Sequence, residues 1–355
     1  MPEKTEHDLI VIGSGAAGLT AALVASIKGL DVLILERANV LGGTTAISAG
    51  SAWVPNSHYD QSGPDSIANA RRYLDATVAR HTSDDLKDAF LTAAPAMARM
   101  LADHSDVCFR PYPHLPDYYS ERDGATMSGR ALETLPFDGR KLGRDFALIK
   151  PPLPEFTIFG GMMVSRADIT HLLNAFKRTS SFLATMRMLG RHARDRISYP
   201  RGTRLVMGNA LVARFLYSLL KRNVAIKTGA RARQLIIEDG AVRGVLADID
   251  GTPKEFRARR GAVLSAGGFA HHPQLRKQLL PTPTAQFSPI PSENEGDGVG
   301  LGLYAGGHLG RTHANNAFWA PISVRHRNDG TMAVFPHFAL DRGKPGLIAV
   351  NGDGR

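Results

Sequence analysis

The stretch Val11–Leu19 reads VIGSGAAGL and sets Gly13, Gly15 and Gly18 at the spacing G-x-G-x-x-G. Each glycine has its own task in a strand-to-helix turn. Gly13 permits the tight bend, Gly15 lets the backbone approach a pyrophosphate, and Gly18 lets the helix pack on the strand. Ahead of the turn, DLIVI (Asp8 to Ile12) is a short β-branched run that reads as a buried parallel strand. Behind it, Ala16 to Lys28 is small and aliphatic, and Gly29 stands where a helix C-terminus favours glycine. DVLILE (Asp31 to Glu36) follows as a second strand. Strand, turn, helix and strand within about 30 residues make a βαβ unit. Its helix N-terminus offers free N–H groups and partial positive charge to phosphates. Glu36 ends the second strand, where a carboxylate accepts hydrogen bonds from ribose hydroxyls. NAD and FAD both carry an adenosine ribose, so this unit selects a dinucleotide without choosing between them.

The choice comes downstream, in LGGTTAISAGSAWVP (Leu41 to Pro55). Gly42 and Gly43 bring backbone close to a cofactor again, and Thr44, Thr45 and Ser48 offer hydroxyl donors. A nicotinamide enzyme has no need of a second glycine–hydroxyl loop straight after its second strand, whereas the longer flavin nucleotide does. Ile47, Trp53 and Val54 are too apolar for a plain surface loop.

Length and composition bound the rest. A chain of 355 residues, 43% apolar and 21% charged, has room for two domains and a large core. Leu9 to Ile27 carries no charge and approaches the length of a membrane span, but its glycines favour strand, turn and helix. The N-terminus MPEKTEHD is polar, with no secretory signal. The single cysteine, Cys108, excludes an internal disulfide and a Cys-rich metal site; these facts suit a reducing cytoplasm. The formal charge is +10, and Arg187, Arg191, Arg194, Arg196, Arg201 and Arg204 crowd one region. An anionic partner is one reading of that cluster. A solvated helix and loop surface is the preferred one, since no nucleic-acid module surrounds it.

Helical patterns over Asp65–Ala79 and Asp84–Leu101 open a different region, about 56–204, which continues through Pro-rich loops to a helix near Asp168–Lys177. Val224 to Asp248 resumes β structure, with Glu238-Asp239-Gly240 as a hairpin turn. GAVLSAGGF (Gly261 to Phe269) reads as another buried strand running into a glycine turn, and NEGDGVGLGLYAGG as a turn feeding a small-residue helix. From Thr312 come the strand-like fragments AFWAPISV, MAVFPHF and GLIAV. NGDG (Asn351 to Gly354) then signals a hairpin turn that only Arg355 follows. A sheet opened but not closed would leave Phe318, Trp319 and Phe335 short of partners. His271 and His272 lack a third ligand at matching spacing, so they read as capping or surface histidines. No nucleophile elbow, P-loop or zinc pattern is present.

The opening βαβ unit, GGTTAISAGSAWVP, FGGMMV, SAGGFAHHP and NEGDGVGLG together resemble the fumarate reductase/succinate dehydrogenase flavoprotein superfamily. Within it they are most similar to the 3-ketosteroid dehydrogenase-like FAD proteins, from about Asp8 to the last residue. The resemblance implies an α/β fold: a Rossmann-like FAD-binding domain over 1–311 with a helical insertion, then the start of an incomplete α+β cap domain over 312–355. It implies FAD contacts at Gly13, Gly15, Ala16, Gly18, Glu36, Thr44, Thr45, Ser48, Ala49, Gly50, Ala232 and Asp297. Ala232 would present backbone to the adenine, and Asp297 would face the ribityl side. Members with covalent flavin carry a histidine where this chain has Thr44-Thr45, which implies FAD held without a covalent bond. Steroid-type members use a tyrosine in a loop resembling PDYYSERDGATMSGR, making Tyr118 the best match for the base and Tyr119 its neighbour. Two aromatics stacked in a Pro-rich loop is the alternative reading.

Three functions follow: desaturation of a 3-ketosteroid or similar cyclic ketone, fumarate reductase-like reduction of an activated double bond, and a truncated flavin-binding fragment without activity. The expected partners are a small-molecule substrate and an electron acceptor that no motif specifies. No nucleic acid and no transmembrane segment are expected.

Overall fold

The computed structural model describes residues 4–59, 65–310 and 315–337, together with residues 348, 350, 353 and 354. The chain opens with strand β1 (Glu6–Ile12), helix α1 (Ala16–Ile27) and strand β2 (Val32–Leu35), followed by the single-turn helix α2 (Gly43–Ala46) and β3 (Ser51–Trp53). Helices α3 (Ile67–Val78) and α4 (Asp84–His104) and strands β4 (Phe109–Pro111) and β5 (Ala131–Thr134) begin the insertion. It continues through the short strands β6 (Phe137–Asp138), β7 (Thr157–Ile158) and β8 (Met162–Met163), helices α5 (Arg166–Leu173) and α6 (Thr179–Ser198), and β9 (Arg204–Leu205). Helix α7 (Met207–Lys221) then returns the chain to the main sheet through β10 (Ala225–Lys227), β11 (Ala230–Glu238), β12 (Ala241–Ile249) and β13 (Thr252–Leu264). Helices α8 (Pro273–Leu279) and α9 (Asp297–Tyr304) precede the hairpin β14 (Ile322–His326) and β15 (Met332–Pro336).

The main sheet has six strands in the order β10-β2-β1-β13-β12-β11. β10, β2 and β1 run parallel, and β1 pairs parallel with β13 through to Ile12↔Leu264. The first half of β13 instead runs antiparallel to β12, which pairs antiparallel with β11. β13 therefore joins the parallel sheet to the antiparallel meander. The Gly261–Phe269 reading is corrected here: the strand starts at Thr252, stops at Leu264, and its last residues are only half-buried, with Leu264 at 38% exposure.

Period-two alternation distributes β1 and β2 between two cores. Val11, Val32 and Ile34 pack with Leu19, Leu23 and Leu216 on the face covered by α1 and α7. Ile10, Ile12, Leu33 and Leu35 pack with Leu235, Val245 and Phe256 of the meander on the other. The uncharged stretch from Leu9 is thus one strand and one helix. Among the described residues no helix is long and apolar enough to cross a membrane.

Caps mark the inserted helices. Ser66 accepts from the Asn69 amide at 3.1 Å ahead of α3, so Asp65 lies outside the helix and is used elsewhere. Ser165 and Asp168 form a reciprocal capping box on α5. That helix ends at Leu173, short of the expected Lys177, and the separate helix α6 follows. His272 Nδ1 accepts from the Leu275 amide at 3.3 Å, capping α8 as expected, and His271 Nε2 lies 2.8 Å from the Ile290 carbonyl. The β14–β15 hairpin is tied to the insertion by Arg327, which donates to both carboxylate oxygens of Glu155 at 2.9 and 3.0 Å. Phe335 packs on Phe156 with ring centroids 5.2 Å apart, so the expectation that it lacks partners is corrected; Phe318 is 77% and Trp319 46% exposed. Most of GLIAV and half of NGDG lie outside the described residues.

Candidate cofactor and active site

The turn after β1 has the geometry its glycines require. Gly13 adopts φ +101°, and a Cβ there would sit 2.4 Å from the Ser265 carbonyl oxygen. A Cβ on Gly18 would sit 2.1 Å from the Gly13 carbonyl oxygen, so the helix closes onto the turn. At Gly15, by contrast, a Cβ would meet only Thr45 Oγ1 at 3.8 Å, and at Gly43 nothing within 4 Å. The chain is crowded behind the turn and open beside Gly15 and Gly43.

Glu36 knits this region together. The carboxylate is 9% exposed and accepts from the Ser14 amide (2.9 Å), the Ser14 hydroxyl (2.5 Å) and the Ala38 amide (2.8 Å). Ser14 Oγ in turn accepts from the Gly42 amide at 3.0 Å. Thr45 Oγ1 accepts from the Ala16 amide at 2.9 Å, tying α2 to the N-terminus of α1. Ser48 donates to the Thr45 carbonyl and accepts from the Gly50 amide. Thr44 and Ala49 are exposed. A Cβ on Gly50 would meet the Met207 carbonyl carbon at 2.5 Å, and one on Gly208 the Thr45 carbonyl oxygen at 1.8 Å. The loop from Gly42 to Gly50 is therefore pressed against the start of α7. Met207 takes the left-handed φ of +53°, a conformation that costs a non-glycine residue about 1–3 kcal/mol.

Behind that contact lies a support that sequence reading did not identify. Asn209 is fully buried; its Nδ2 donates to the carbonyls of Ala46 (2.7 Å) and Lys150 (3.2 Å), and its Oδ1 accepts from Arg201 Nη1 (2.8 Å). Arg201 is 9% exposed, with its guanidinium 4.6 Å from the centroid of Phe146, and burial pushes its pKa down to about 10. This corrects the reading of the arginine cluster as solvated surface at three of its six positions, while Arg187, Arg194 and Arg196 are exposed as that reading expects. Arg201 is buried, while Arg191 and Arg204 pair with Asp138 and Asp168. The signal in the sequence was one polar residue, Asn209, inside the apolar run MGNALVA.

Ala232 lies buried on β11 and Asp297 opens α9. Their neighbours bring them to the end of β2. Arg231 Nη2 donates to Asp297 Oδ1 at 2.6 Å, and Arg37, next to Glu36, donates to Glu295 at 2.7 Å and to Asp297 at 3.3 Å. The Arg37 guanidinium in turn holds the Glu295 carboxyl below its usual range. At Arg231, burial lowers the pKa but the bond to Asp297 outweighs it, and the net direction is upward.

Tyr118 is 82% and Tyr119 51% exposed, and neither hydrogen-bonds to the cofactor turn among the described residues. Their loop is hung from a buried ion network. Arg130 grips Asp65 with two bonds (3.0 and 2.8 Å) and Asp117 with a third (2.8 Å). Asp117 Oδ1 also accepts from Trp53 Nε1 at 2.7 Å, and Trp53 stands on the strand directly after Gly50. The Tyr119 amide donates to the Tyr73 hydroxyl at 3.2 Å. Among the described residues no group of three or more His, Cys, Asp or Glu side chains could hold a metal ion.

A parallel sheet with a glycine turn at one strand end, an acid closing the next strand and an antiparallel meander define a dinucleotide-binding flavoprotein fold. The chain belongs to the FAD binding domain family, which it matches over residues 8–355. It is 33% identical over 352 residues to a 4-oxocyclohex-2-ene-1-carboxylate 5-dehydrogenase of Sinomonas cyclohexanicum, covering 98% of this chain and 59% of that protein. It is 32% identical over 360 residues to a 3-oxosteroid 1-dehydrogenase of Mycolicibacterium smegmatis, covering 99% and 61%. The crystal structure of 3-ketosteroid delta1-dehydrogenase from Sterolibacterium denitrificans in complex with 1,4-androstadiene-3,17-dione superposes with TM-score 0.83 at 30% identity, covering 93% of this chain and 59% of that one. This chain thus spans about three fifths of the length of the curated relatives it matches. The fold and the FAD assignment agree with the expectations from sequence.

Proposed function

We propose that this chain is the flavin-binding part of a dehydrogenase that introduces a carbon–carbon double bond beside the carbonyl of a cyclic ketone, a 3-ketosteroid being the leading candidate. The observation that carries the reading is the Gly15–Gly43 cradle. It belongs to a chain that aligns over 98–99% of its own length with part of relatives named as dehydrogenases of rings that bear a ketone. Bound FAD supplies the hydride acceptor. The residues of this chain do the rest. The amides at the α1 N-terminus and the open backbone at Gly15 receive the pyrophosphate. Glu36 receives the ribose hydroxyls, Ala232 presents backbone to the adenine, and Asp297 faces the ribityl chain. Thr44 and Thr45, in place of a histidine, leave the cofactor without a covalent bond. Ser48, Ala49 and Gly50 border the ring system. Tyr118, with Tyr119 beside it, removes the proton from the carbon next to the carbonyl as the neighbouring carbon gives up its hydride. Residues 1–311 form the cofactor domain in this reading, and 312–355 begin a cap.

The test is to load the purified 355-residue chain with FAD and supply a 3-oxosteroid or a 4-oxocyclohexanecarboxylate with a dye acceptor. Dye reduction with formation of the conjugated enone supports the reading. Stoichiometric FAD without turnover of either ketone favours the flavin-binding fragment without activity, and recovery of NAD in place of FAD overturns the cofactor. Acid precipitation is expected to release all the flavin into the supernatant.

A further inference from the structure

Helices α5 and α6 pack together as a hairpin, and α6 is built the wrong way round for a helix lying on a protein core. Its inward residues are polar, and two of them are bonded to the body. Asp195 accepts from the amide and hydroxyl of Thr203 at 2.8 and 2.7 Å, His192 Nε2 lies 2.9 Å from the Phe159 carbonyl, and Ser181 meets His171. Its apolar residues point outward: Phe182, Leu183 and Met186 are 41%, 62% and 43% exposed. Positions 182, 183 and 186 share one helical face. Leu173 at the end of α5 is 74% exposed, and Phe176 between the helices is 98% exposed. A surface phenylalanine with nearly its whole side chain in water is not held there by any core.

The charges around these side chains have one sign. Lys177, Arg178, Arg187 and Arg194 are exposed and join no ion pair among the described residues. The two acids between 166 and 198 face away from this surface: Asp195 is buried and Asp168 is held by Arg204 at 2.7 Å. An apolar stripe flanked by free cations, with no exposed carboxylate on the hairpin itself, matches the boundary of an anionic bilayer, where apolar side chains enter the acyl region and cations meet lipid phosphates. A second copy of this chain would bring the same cations face to face.

We propose that the α5–α6 hairpin docks this protein on the surface of an anionic membrane, with Phe176, Phe182, Leu183 and Met186 inserted and Lys177, Arg178, Arg187 and Arg194 on the headgroups. This rests on the hairpin alone and is independent of the proposed reaction. The experiment is co-sedimentation of the FAD-loaded 355-residue chain with vesicles. Binding is expected to vesicles of equal parts phosphatidylglycerol and phosphatidylcholine, to be absent with phosphatidylcholine alone, and to weaken as salt is added. Arg187→Glu with Arg194→Glu is expected to lower the partition at least about tenfold, as is Phe176→Ser with Leu183→Gln, with circular dichroism and bound flavin unchanged. Failure to bind anionic vesicles overturns the proposal. So does binding that neither double variant reduces, and so does a dimer in solution that Phe176→Ser dissolves, which would make the face a contact between copies.

Discussion

Glu36→Gln separates the two tasks assigned to the acid at the end of β2. In the structure the carboxylate takes three donors, two from Ser14 and one from the Ala38 amide. Glutamine keeps the shape but offers one oxygen and an NH2 group. With its oxygen toward Ser14, the NH2 faces the Ala38 N–H; flipped, it faces the Ser14 N–H. Either way a buried backbone donor loses its acceptor, at a cost of about 1–3 kcal/mol. In the flavin-free chain of 355 residues this is expected to lower Tm by about 1–4 °C. The ribose contact adds a separate effect. Replacing a charged acceptor by a neutral amide at the ribose hydroxyls removes a further contribution of about 1–3 kcal/mol, which raises the Kd for FAD by about 5- to 150-fold. Differential scanning fluorimetry without flavin reads the first effect, and quenching of FAD fluorescence on titration with apoprotein reads the second. An unchanged Tm refutes the argument from Ser14 and Ala38. A lowered Tm with an unchanged Kd refutes the ribose assignment alone.

The other expectations concern the supports around the site. Arg130→Met leaves the carboxylates of Asp65 and Asp117 facing each other without their cation, costing about 3–5 kcal/mol in urea unfolding; a loss below 1 kcal/mol would contradict the network's role. The same network sets an acid limit. Burial would raise the Asp65 pKa, but the bonds from Arg130 and from the Asn56 and Ser66 amides outweigh it and hold it below 3.8. A depressed folded pKa stabilises fully above the unfolded value, and the benefit is lost as pH falls through the folded one. Tm of the parent protein is therefore expected to lose this contribution only below about pH 4, whereas in Arg130→Met, where Asp65 has lost the bond that depresses its pKa, that acid-dependent loss is expected to shrink. Asn209→Leu frees the Ala46 and Lys150 carbonyls and leaves Arg201 only the Ile149 carbonyl as acceptor, so flavin retention on gel filtration is expected to drop; full retention would disconnect α7 from the Gly42–Gly50 loop. Tyr118→Phe is expected to slow single-turnover flavin reduction by about 10²- to 10⁴-fold with an unchanged flavin spectrum, and an unaltered rate removes Tyr118 from the chemistry.

Much of the cofactor half was legible because its signals are local. A bend as tight as that at Gly13 excludes side chains wherever it occurs, and a cap such as Ser66 or a turn such as Asp239-Gly240 acts within a few residues. Helix α7 escaped because its residues from Met207 to Leu220 are all buried or half-buried, so it lacks the solvated face that marks a surface helix. The long β13 escaped in part because it serves two sheets, so neither strict alternation nor a continuous apolar run describes it. By itself, then, the sequence of this protein determined the βαβ turn, the acid that serves it and the flavin that the second glycine loop calls for, all through backbone sterics over short spans. Only the tertiary structure decided that Arg201 is buried while Arg187 and Arg194 are free, and that Asp65, Asp117 and Arg130 converge beneath the Tyr118 loop. It alone turned the apolar face of α6 outward. Burial is a property of what distant segments bring together, and identical side chains acquire opposite roles according to which neighbours exclude water from them.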